Sequence, residues 1–281
     1  MKRDDLPLAN PAMHVTCWGK AGPRVVLVHG SAQGSELGGA HHFSTQARLV
    51  DRGWSVAVPD RPGHGRSPYP GRPDDAELDG ELIAPLLGEG AHLVGHSFGA
   101  CVALAAAARD PSKVRSLTLI EPAMAALAIN KGPVLRFVFG LVRTLAFSRT
   151  PTERIERFIR LVNIPQEVRG GSSAEELERM GKAIKALRLP GKRALQQQLR
   201  TVKDAGIPLL VVSAGWSQAF DIVCDTVAHI GGGRRLDIAA PHHFPQLASD
   251  RFNRELDAFM RASDARRHAG PQPSPQEQDI Q

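Results

Sequence analysis

The chain has 281 residues, of which 42% are hydrophobic and 23% are charged, and its formal net charge at pH 7 is +6. This balance excludes disorder throughout, and the absence of any apolar run of roughly eighteen residues argues against a transmembrane helix. The three cysteines (Cys17, Cys101 and Cys224) are far apart and odd in number, which excludes a disulfide framework and a CxxC metal site and favours reduced thiols in the cytoplasm. The first twenty residues lack the apolar core of a secretory signal.

Short apolar runs alternate with helical patterns in the first 122 residues. The predicted strands are 24–30, 54–60, 91–96 and 114–122, and the predicted helices are 41–53, 74–90 and 98–110. Nearly continuous apolar strands separated by helices are typical of a parallel sheet that is covered on both faces.

Strand patterns stop between residues 123 and 205, where segments with helical spacing are separated by Gly and Pro. The alternation resumes with a strand at 207–215, a helix at 217–230, a strand at 234–240 and a helix at 252–262. We therefore predict an α/β fold, with a mostly parallel central sheet and helices on both faces. Residues 1–122 and 206–262 form its core, 123–205 a helical cap, and 263–281, rich in Pro, Gln and charge, a disordered tail.

The positive charge is concentrated in the predicted cap. Residues 131–200 contain 15 Lys and Arg against 6 Asp and Glu, so their net charge is +9 and that of the remaining chain is −3. No DNA-reading motif or aromatic interleaving accompanies these cations, so we expect no nucleic-acid partner. A solvated helix face explains them, and attraction of an anionic substrate or a membrane surface is the alternative.

One motif lies where a predicted strand meets a predicted helix. Residues 95–99 read Gly-His-Ser-Phe-Gly and match the pattern G-x-S-x-G. A serine in such a sharp turn adopts unfavourable backbone angles, and flanking glycines relieve the crowding. The pattern alone is weak, because the serine of any Gly-rich loop also satisfies it. Between a strand and a helix, however, it predicts Ser97 as a nucleophile.

Three further segments follow the order of the α/β-hydrolase superfamily, which the chain resembles over most of its core. VVLVHGSAQ (25–33) resembles the loop after the family's third strand, and VAVPDRPGHGRS (56–67) resembles its D-x-x-G-x-G-x-S segment. PHHFPQL (241–247) lies where the family carries its histidine, and the helical region after residue 122 falls where the family places its cap. Together, the four motifs are far more specific than any one of them.

The resemblance implies where an acyl-transfer site would lie. The backbone amides of Ser31 and Phe98 would hold the oxyanion, with Gly30 beside the substrate, and losing one such donor raises the barrier by roughly 3 kcal/mol. The family's histidine precedes a short aromatic–Pro step, so His243 is the predicted base and His242 its alternative. Neither a cofactor nor a metal ion is implied.

The carboxylate that orients the histidine departs from the family pattern. The family usually carries an Asp three residues after the glycine that corresponds to Gly215, where this chain has Gln218. Asp221, three residues further on, is one substitute. Glu121 is the other: it ends an apolar strand at the ligand-binding edge, and some family members, haloalkane dehalogenases among them, carry the acid there. We predict Glu121 and keep Asp221 as the alternative.

The cap sequence offers three interpretations. Residues 131–147 are unusually apolar for a surface helix. The helix buries one face on the core, or it lines an apolar pocket with Phe137, Phe139 and Phe147, or it touches a membrane surface. Trp216, which follows a strand end, is a predicted pocket wall.

These observations predict a cytoplasmic serine hydrolase that acts on a small molecule without stable membrane insertion. Hydrolysis of a carboxylic ester with a small-to-medium apolar substrate is the leading hypothesis. Thioester, lactone or C–C hydrolysis uses the same constellation, and a catalytically silent fold that binds a ligand is the alternative from another class. The sequence does not indicate an oligomeric state.

Overall fold

The computed structural model describes residues 13–30 and 32–269, except for the side chains of residues 268 and 269. In this part of the chain, seven strands form one sheet. In chain order they are β1 (Val15–Trp18), β2 (Arg24–Val28), β3 (Ser55–Pro59), β4 (Ala91–His96), β5 (Val114–Ile120), β6 (Leu209–Ser213) and β7 (Arg234–Asp237).

Helices connect and cover the strands. The α-helices are α1 (Gly39–His42), α2 (Ala76–Ile83), α3 (Phe98–Arg109), α4 (Gly132–Phe147), α5 (Pro151–Leu161), α6 (Gln166–Arg169), α7 (Ala174–Ala186), α8 (Lys192–Asp204), α9 (Gln218–Gly231), α10 (Pro245–Ala248) and α11 (Asp250–Ala269). Short 3₁₀ helices span Ser44–Arg52, Ala84–Leu87, Pro111–Lys113 and Ala125–Ala128.

The strand order across the sheet is β1-β3-β2-β4-β5-β6-β7. Only β1 runs antiparallel, against β3, and every other neighbouring pair is parallel. The predicted α/β fold with a mostly parallel sheet is therefore confirmed. Because β4, β5 and β6 are neighbours, the residues that follow them meet at one edge of the sheet.

The side chains of each strand alternate between two hydrophobic layers, because successive residues of a strand point to opposite faces. On β2, Val26 and Val28 join the layer under α2, α3, α8 and α9, whereas Val25 and Leu27 join the layer under α11. Both faces of the sheet are therefore buried, which explains why the strands read as continuous apolar runs.

Some local elements differ from the prediction. β1 was not predicted; it is a half-buried edge strand without an apolar run. The predicted helix 41–53 is instead the short α1 followed by a 3₁₀ helix, and the predicted helix 74–90 changes to a 3₁₀ helix at Ala84. Pro85 explains the second change, because its ring removes a backbone N–H from the helix.

The predicted cap region is helical, and its last helix, α8, packs with the helices that cover the sheet. Leu195, Leu199 and Val202 of α8 are fully buried in the same hydrophobic layer as α3. α8 is therefore part of the covered sheet, and the cap proper consists of α4 to α7, with a small core of its own around Ile155, Ile159 and Ile184. None of the described helices combines the length and apolarity needed to cross a membrane.

Residues 263–269, which we predicted as the start of the tail, are helical. Helix α11 continues to Ala269, because Ser263 is buried and donates to the Phe259 carbonyl, and Asp264 forms an ion pair with Arg115 at 2.9 Å. The prediction for residues 270–281 lies outside the described residues.

Candidate active site

Ser97 occupies the sharp turn between β4 and α3. Its φ of 56° and ψ of −121° are rare for a residue with a side chain. The turn requires glycine on both sides: a Cβ on Gly95 would lie 2.7 Å from the Ala100 Cα, and a Cβ on Gly99 would lie 2.7 Å from the His29 carbonyl carbon. These close approaches hold the Ser97 side chain above the strand ends.

His243 follows β7 and contacts Ser97. Its Nε2 lies 3.0 Å from Ser97 Oγ, and its ring is almost fully buried. The neighbouring His242 is half-buried, and its Nδ1 accepts the N–H of Phe244 at 3.2 Å. Burial lowers the pKa of His242. Of the two adjacent histidines, the structure brings His243 to the serine.

Glu121 follows β5 and completes a chain of contacts with Ser97 and His243. Its Oε2 lies 3.0 Å from His243 Nδ1, and the carboxylate is fully buried. Oε1 accepts the N–H of Ala214 at 2.7 Å, and Oε2 also accepts Nε1–H of Trp216 at 2.7 Å. A buried carboxylate with several donors remains a stable hydrogen-bond acceptor for the imidazole.

Asp221 lies elsewhere, on the first turn of α9. Its Oδ1 accepts from the Ser213 hydroxyl and lies 3.4 Å from Arg235 Nη2. Its side chain is about one-third exposed (32%), so it belongs to a partly solvated network with Arg235 at the sheet edge. The structure does not bring it to His243.

Trp216 does not line the cavity above Ser97, so its predicted role as a pocket wall is wrong. Its ring packs on Phe220, with ring centroids 5.5 Å apart, and its N–H donates a hydrogen bond to Glu121 Oε2. The position of Trp216 after a predicted strand is the only sequence signal for this contact.

Two further histidines support the loop that carries His243. His96 Nε2 lies 2.7 Å from the His243 carbonyl oxygen, and His96 Nδ1 lies 2.7 Å from His42 Nε2. Because a carbonyl only accepts, His96 Nε2 carries the hydrogen, and its Nδ1 accepts one from His42. Burial, together with neighbouring histidines, lowers the pKa of both rings well below 6.5 and keeps them neutral.

Asn163, which sequence reasoning missed, also fixes this loop from the cap side. Its backbone carbonyl accepts the N–H of His243 at 3.3 Å, and its side-chain amide donates to the Pro241 carbonyl at 2.7 Å. Asn163 has a φ of 50°, which asparagine tolerates better than most residues. The only sequence signal was the Asn-Ile-Pro step after a helical pattern.

The side of the site that is predicted to bind the oxyanion contains Gly30 and the first residue of α3. A Cβ on Gly30 would lie 3.1 Å from the Ser97 Cβ, so the glycine lets the backbone approach the serine. The buried Arg61 donates to the Gly30 carbonyl at 2.8 Å and to the His29 carbonyl at 3.0 Å. Phe98 is the first residue of α3, where N–H groups have no intrahelical partner. Ser31 lies outside the described residues.

An apolar cavity of about 100 Å³ lies above Ser97. Gly30, Phe98 and His243 lie on its lining, and much of the remaining wall comes from the cap. Its apolar cap side chains include Val134, Phe137, Leu141, Leu145, Phe158 and Ile184. Phe137 lies on this cavity wall, and its role toward a substrate stays a prediction. The prediction for Phe139 is wrong, because that residue lies on the opposite face of α4 and is 67% exposed.

A second, more polar cavity of about 410 Å³ adjoins the first, and Gly30, His42 and Phe244 line both. Its additional lining includes His41, Ser35, Glu156, Gln166, Arg169 and Ser172. An apolar and a polar compartment thus share the edge next to Ser97. Among the described side chains, no group of three or more His, Cys, Asp or Glu is arranged to hold a metal ion.

Comparisons with known proteins agree with this architecture. A sequence model of the alpha/beta hydrolase fold matches residues 23–155. The chain is 37% identical to Lipase LipV of Mycobacterium tuberculosis over 120 residues, which are 40% of this chain and 42% of that protein. The match thus spans less than half of the lipase.

A longer match links the chain to a pimeloyl-[acyl-carrier protein] methyl ester esterase of Chromobacterium violaceum. The two are 29% identical over 259 residues, which cover 86% of this chain and 92% of that protein. Among solved structures, an esterase from Exiguobacterium antarcticum superimposes with a TM-score of 0.67 at 19% identity and covers 89% of this chain and 95% of that chain. This structural likeness concerns the fold.

Proposed function

We propose that this chain is a serine hydrolase of the α/β-hydrolase superfamily that cleaves a carboxylic ester bond of a small-to-medium apolar substrate, and the matching sequence model and shared fold support this proposal. One observation carries this proposal. Ser97, His243 and Glu121 form an unbroken chain of contacts of 3.0 Å each, and the serine end of that chain lines an apolar cavity.

In the proposed acylation step, Ser97 Oγ attacks the ester carbonyl carbon while His243 Nε2 accepts the hydroxyl proton. A serine hydroxyl needs such a base, because it is a weak nucleophile at neutral pH. Glu121 Oε2 accepts Nδ1–H, which fixes the tautomer that leaves Nε2 free and stabilises the imidazolium. The tetrahedral intermediate then collapses, the C–O bond to the alcohol breaks, and His243 protonates the leaving oxygen.

The oxyanion of that intermediate would be held by the backbone amides of Phe98 and Ser31. Both roles follow from the family resemblance, and the position of Phe98 at the start of α3 supports the first. In the second half of the cycle, water attacks the acyl-enzyme carbonyl while His243 accepts its proton. The carboxylic acid is released and Ser97 regains its hydrogen.

The two adjoining cavities suggest where each part of an ester substrate would bind. The acyl chain fits the apolar compartment formed by α4, α5 and α7, and the alcohol fits the polar compartment beside His41 and Arg169. An apolar wall discriminates acyl groups by chain length, because each buried methylene contributes about 0.8 kcal/mol.

The free thiols of Cys17, Cys101 and Cys224 support a reducing, cytoplasmic location.

A panel of p-nitrophenyl esters of increasing acyl length tests this function. We expect hydrolysis that is lost in Ser97→Ala and that falls once the acyl chain exceeds the cavity. Leu141→Trp fills the cavity and should shift the preference to shorter acyl chains. Val142→Trp, its neighbour on the outward face of α4, is the matched control and should leave the preference unchanged.

Two results would contradict the proposal. A folded protein without activity on any ester would favour a silent ligand-binding fold. Faster turnover of thioesters or lactones with the same acyl group would indicate that the enzyme cleaves one of those bonds instead of a simple ester.

A further inference from the structure

Helix α4 exposes an apolar surface as well as lining the cavity. Its outer α4 face consists of Leu135, Phe139, Val142 and Phe147, which are 55%, 67%, 53% and 72% exposed. The opposite side of the same helix contributes Val134, Phe137, Leu141 and Leu145 to the cavity wall. A surface helix normally has one apolar side, so the outer α4 face is not explained by packing against the core.

Unbalanced positive charge surrounds this face. Lys131, Arg136, Arg143 and Arg149 lie on or beside α4, and residues 123–152 contain no Asp or Glu. None of these four cationic groups lies within 4.0 Å of a carboxylate in the described part of the chain, whereas Arg109, Arg157 and Arg179 on other helices are each paired with a glutamate. Exposed Phe and Leu between unpaired arginines are typical of a helix that lies in a membrane interface.

We propose that the outer α4 face docks on a bilayer surface that carries anionic lipids. Phe139 and Phe147 enter the boundary between headgroups and acyl chains, and Arg136 and Arg143 contact lipid phosphates. The helix lies in the plane of the interface and does not cross it, in agreement with its 16 residues. Docking would bring the cap, whose inner wall surrounds the apolar cavity, next to the lipid phase.

Charge favours a lipid surface over a second copy of this chain. In a two-fold symmetric dimer through the outer α4 face, the same patch of both subunits would meet. Arg136 and Arg143 would then oppose identical cations, without a carboxylate from residues 123–152 to separate them. A surface of phosphate groups, in contrast, satisfies both the charge and the apolar side chains.

Co-sedimentation with vesicles tests this inference separately from the proposed function, because binding is measured without turnover. Vesicles of phosphatidylcholine alone are compared with vesicles that also contain phosphatidylglycerol. We expect binding to the anionic vesicles, weakened by added salt, and retained in Ser97→Ala. The double variant Arg136→Gln and Arg143→Gln should weaken binding about thirtyfold, and Phe139→Ser with Phe147→Ser more than about tenfold.

Exposed residues elsewhere supply matched controls. Arg193→Gln with Arg200→Gln removes two exposed arginines of α8, and Tyr69→Ser removes an aromatic side chain that is 66% exposed. Both should bind anionic vesicles as well as the parent chain does. Equal binding by the α4 variants, or no binding to anionic vesicles, would overturn the inference. A dimer in light scattering that Phe139→Ser dissociates would overturn it in favour of self-association.

Discussion

Ser97 and Glu121 leave two neighbouring parallel strands at the same level. His96 pairs with Ile120 as the last residues of β4 and β5, so Ser97 and Glu121 are the first residues beyond the paired ends. Both have positive φ, 56° and 45°, and the Ser97 N–H donates to the Ile120 carbonyl at 2.9 Å. Two adjacent strained turns thus direct a hydroxyl and a carboxylate to opposite sides of one imidazole.

The identity of the acid is the first prediction. Glu121→Gln should lower kcat on a good ester substrate by about 10⁴, because an amide nitrogen facing His243 Nδ1 stabilises the wrong tautomer. Asp221→Asn should change kcat less than about threefold, since Asp221 binds Ser213 and Arg235 instead. Steady-state kinetics of both variants, with circular dichroism as a check of folding, measures the ranking. The reverse ranking would refute our assignment.

Trp216 should act on the rate rather than on binding. Trp216→Phe removes the N–H that Glu121 Oε2 accepts, and a hydrogen bond to a charged group contributes about 1.5–3 kcal/mol. We therefore expect kcat to fall about tenfold with KM nearly unchanged. Phe220→Ala, which alters the cavity wall, should instead raise KM for long acyl chains. A Trp216→Phe effect confined to KM would argue against the positioning role.

His96 is expected to position the base through its backbone. His96→Phe removes the hydrogen bond to the His243 carbonyl and should lower kcat about tenfold, whereas His96→Gln, which keeps a donor, should restore part of it. His229→Phe, an exposed histidine of α9, is the control for loss of an imidazole. Equal kcat in the Phe and Gln variants would show that His96 only fills space.

Buried neutral histidines predict that acid destabilises the fold. Burial lowers the pKa of His29, His42, His64 and His96 well below 6.5. Below about pH 6.5 the unfolded chain therefore binds protons that the folded chain does not, so the free energy of unfolding decreases as the pH falls. Each such histidine lowers the free energy of unfolding by up to about 1.4 kcal/mol for every pH unit below its ordinary pKa.

Thermal unfolding between about pH 8 and pH 5.5 measures this effect, and we expect Tm to fall across that range. His92 offers a test outside the candidate site, because burial lowers its pKa to about 4. His92→Gln should flatten the dependence of unfolding free energy on pH. A Tm that stays constant or rises toward pH 5.5 would contradict the prediction.

The sheet was largely predictable because its strands are buried on both faces and read as unbroken apolar runs, as in β2 and β6. β1 escaped prediction because an edge strand at VTCW carries little such signal. The length of α11 also escaped it, because residues 263–269 are mostly polar and Asp264 pairs with Arg115, which is far away in the chain.

The residues of the candidate site likewise fall into those that a local sequence pattern predicts and those that it does not. Ser97 was identifiable because its turn requires local glycines, and His243 because its position follows a family pattern. The contacts of Trp216 and Asn163 join loops that are far apart in the chain, so no local pattern contains them. Phe139 was misplaced because an apolar run on α4 does not reveal which side of the helix faces the cavity.

Labelling with a fluorophosphonate probe tests whether Ser97 is the nucleophile, because the reagent forms a covalent bond with an activated serine. We expect peptide mass spectrometry to locate the adduct on Ser97, with labelling lost in Ser97→Ala and strongly slowed in Glu121→Gln. A folded parent protein that remains unlabelled, or an adduct that persists in Ser97→Ala, would contradict the account.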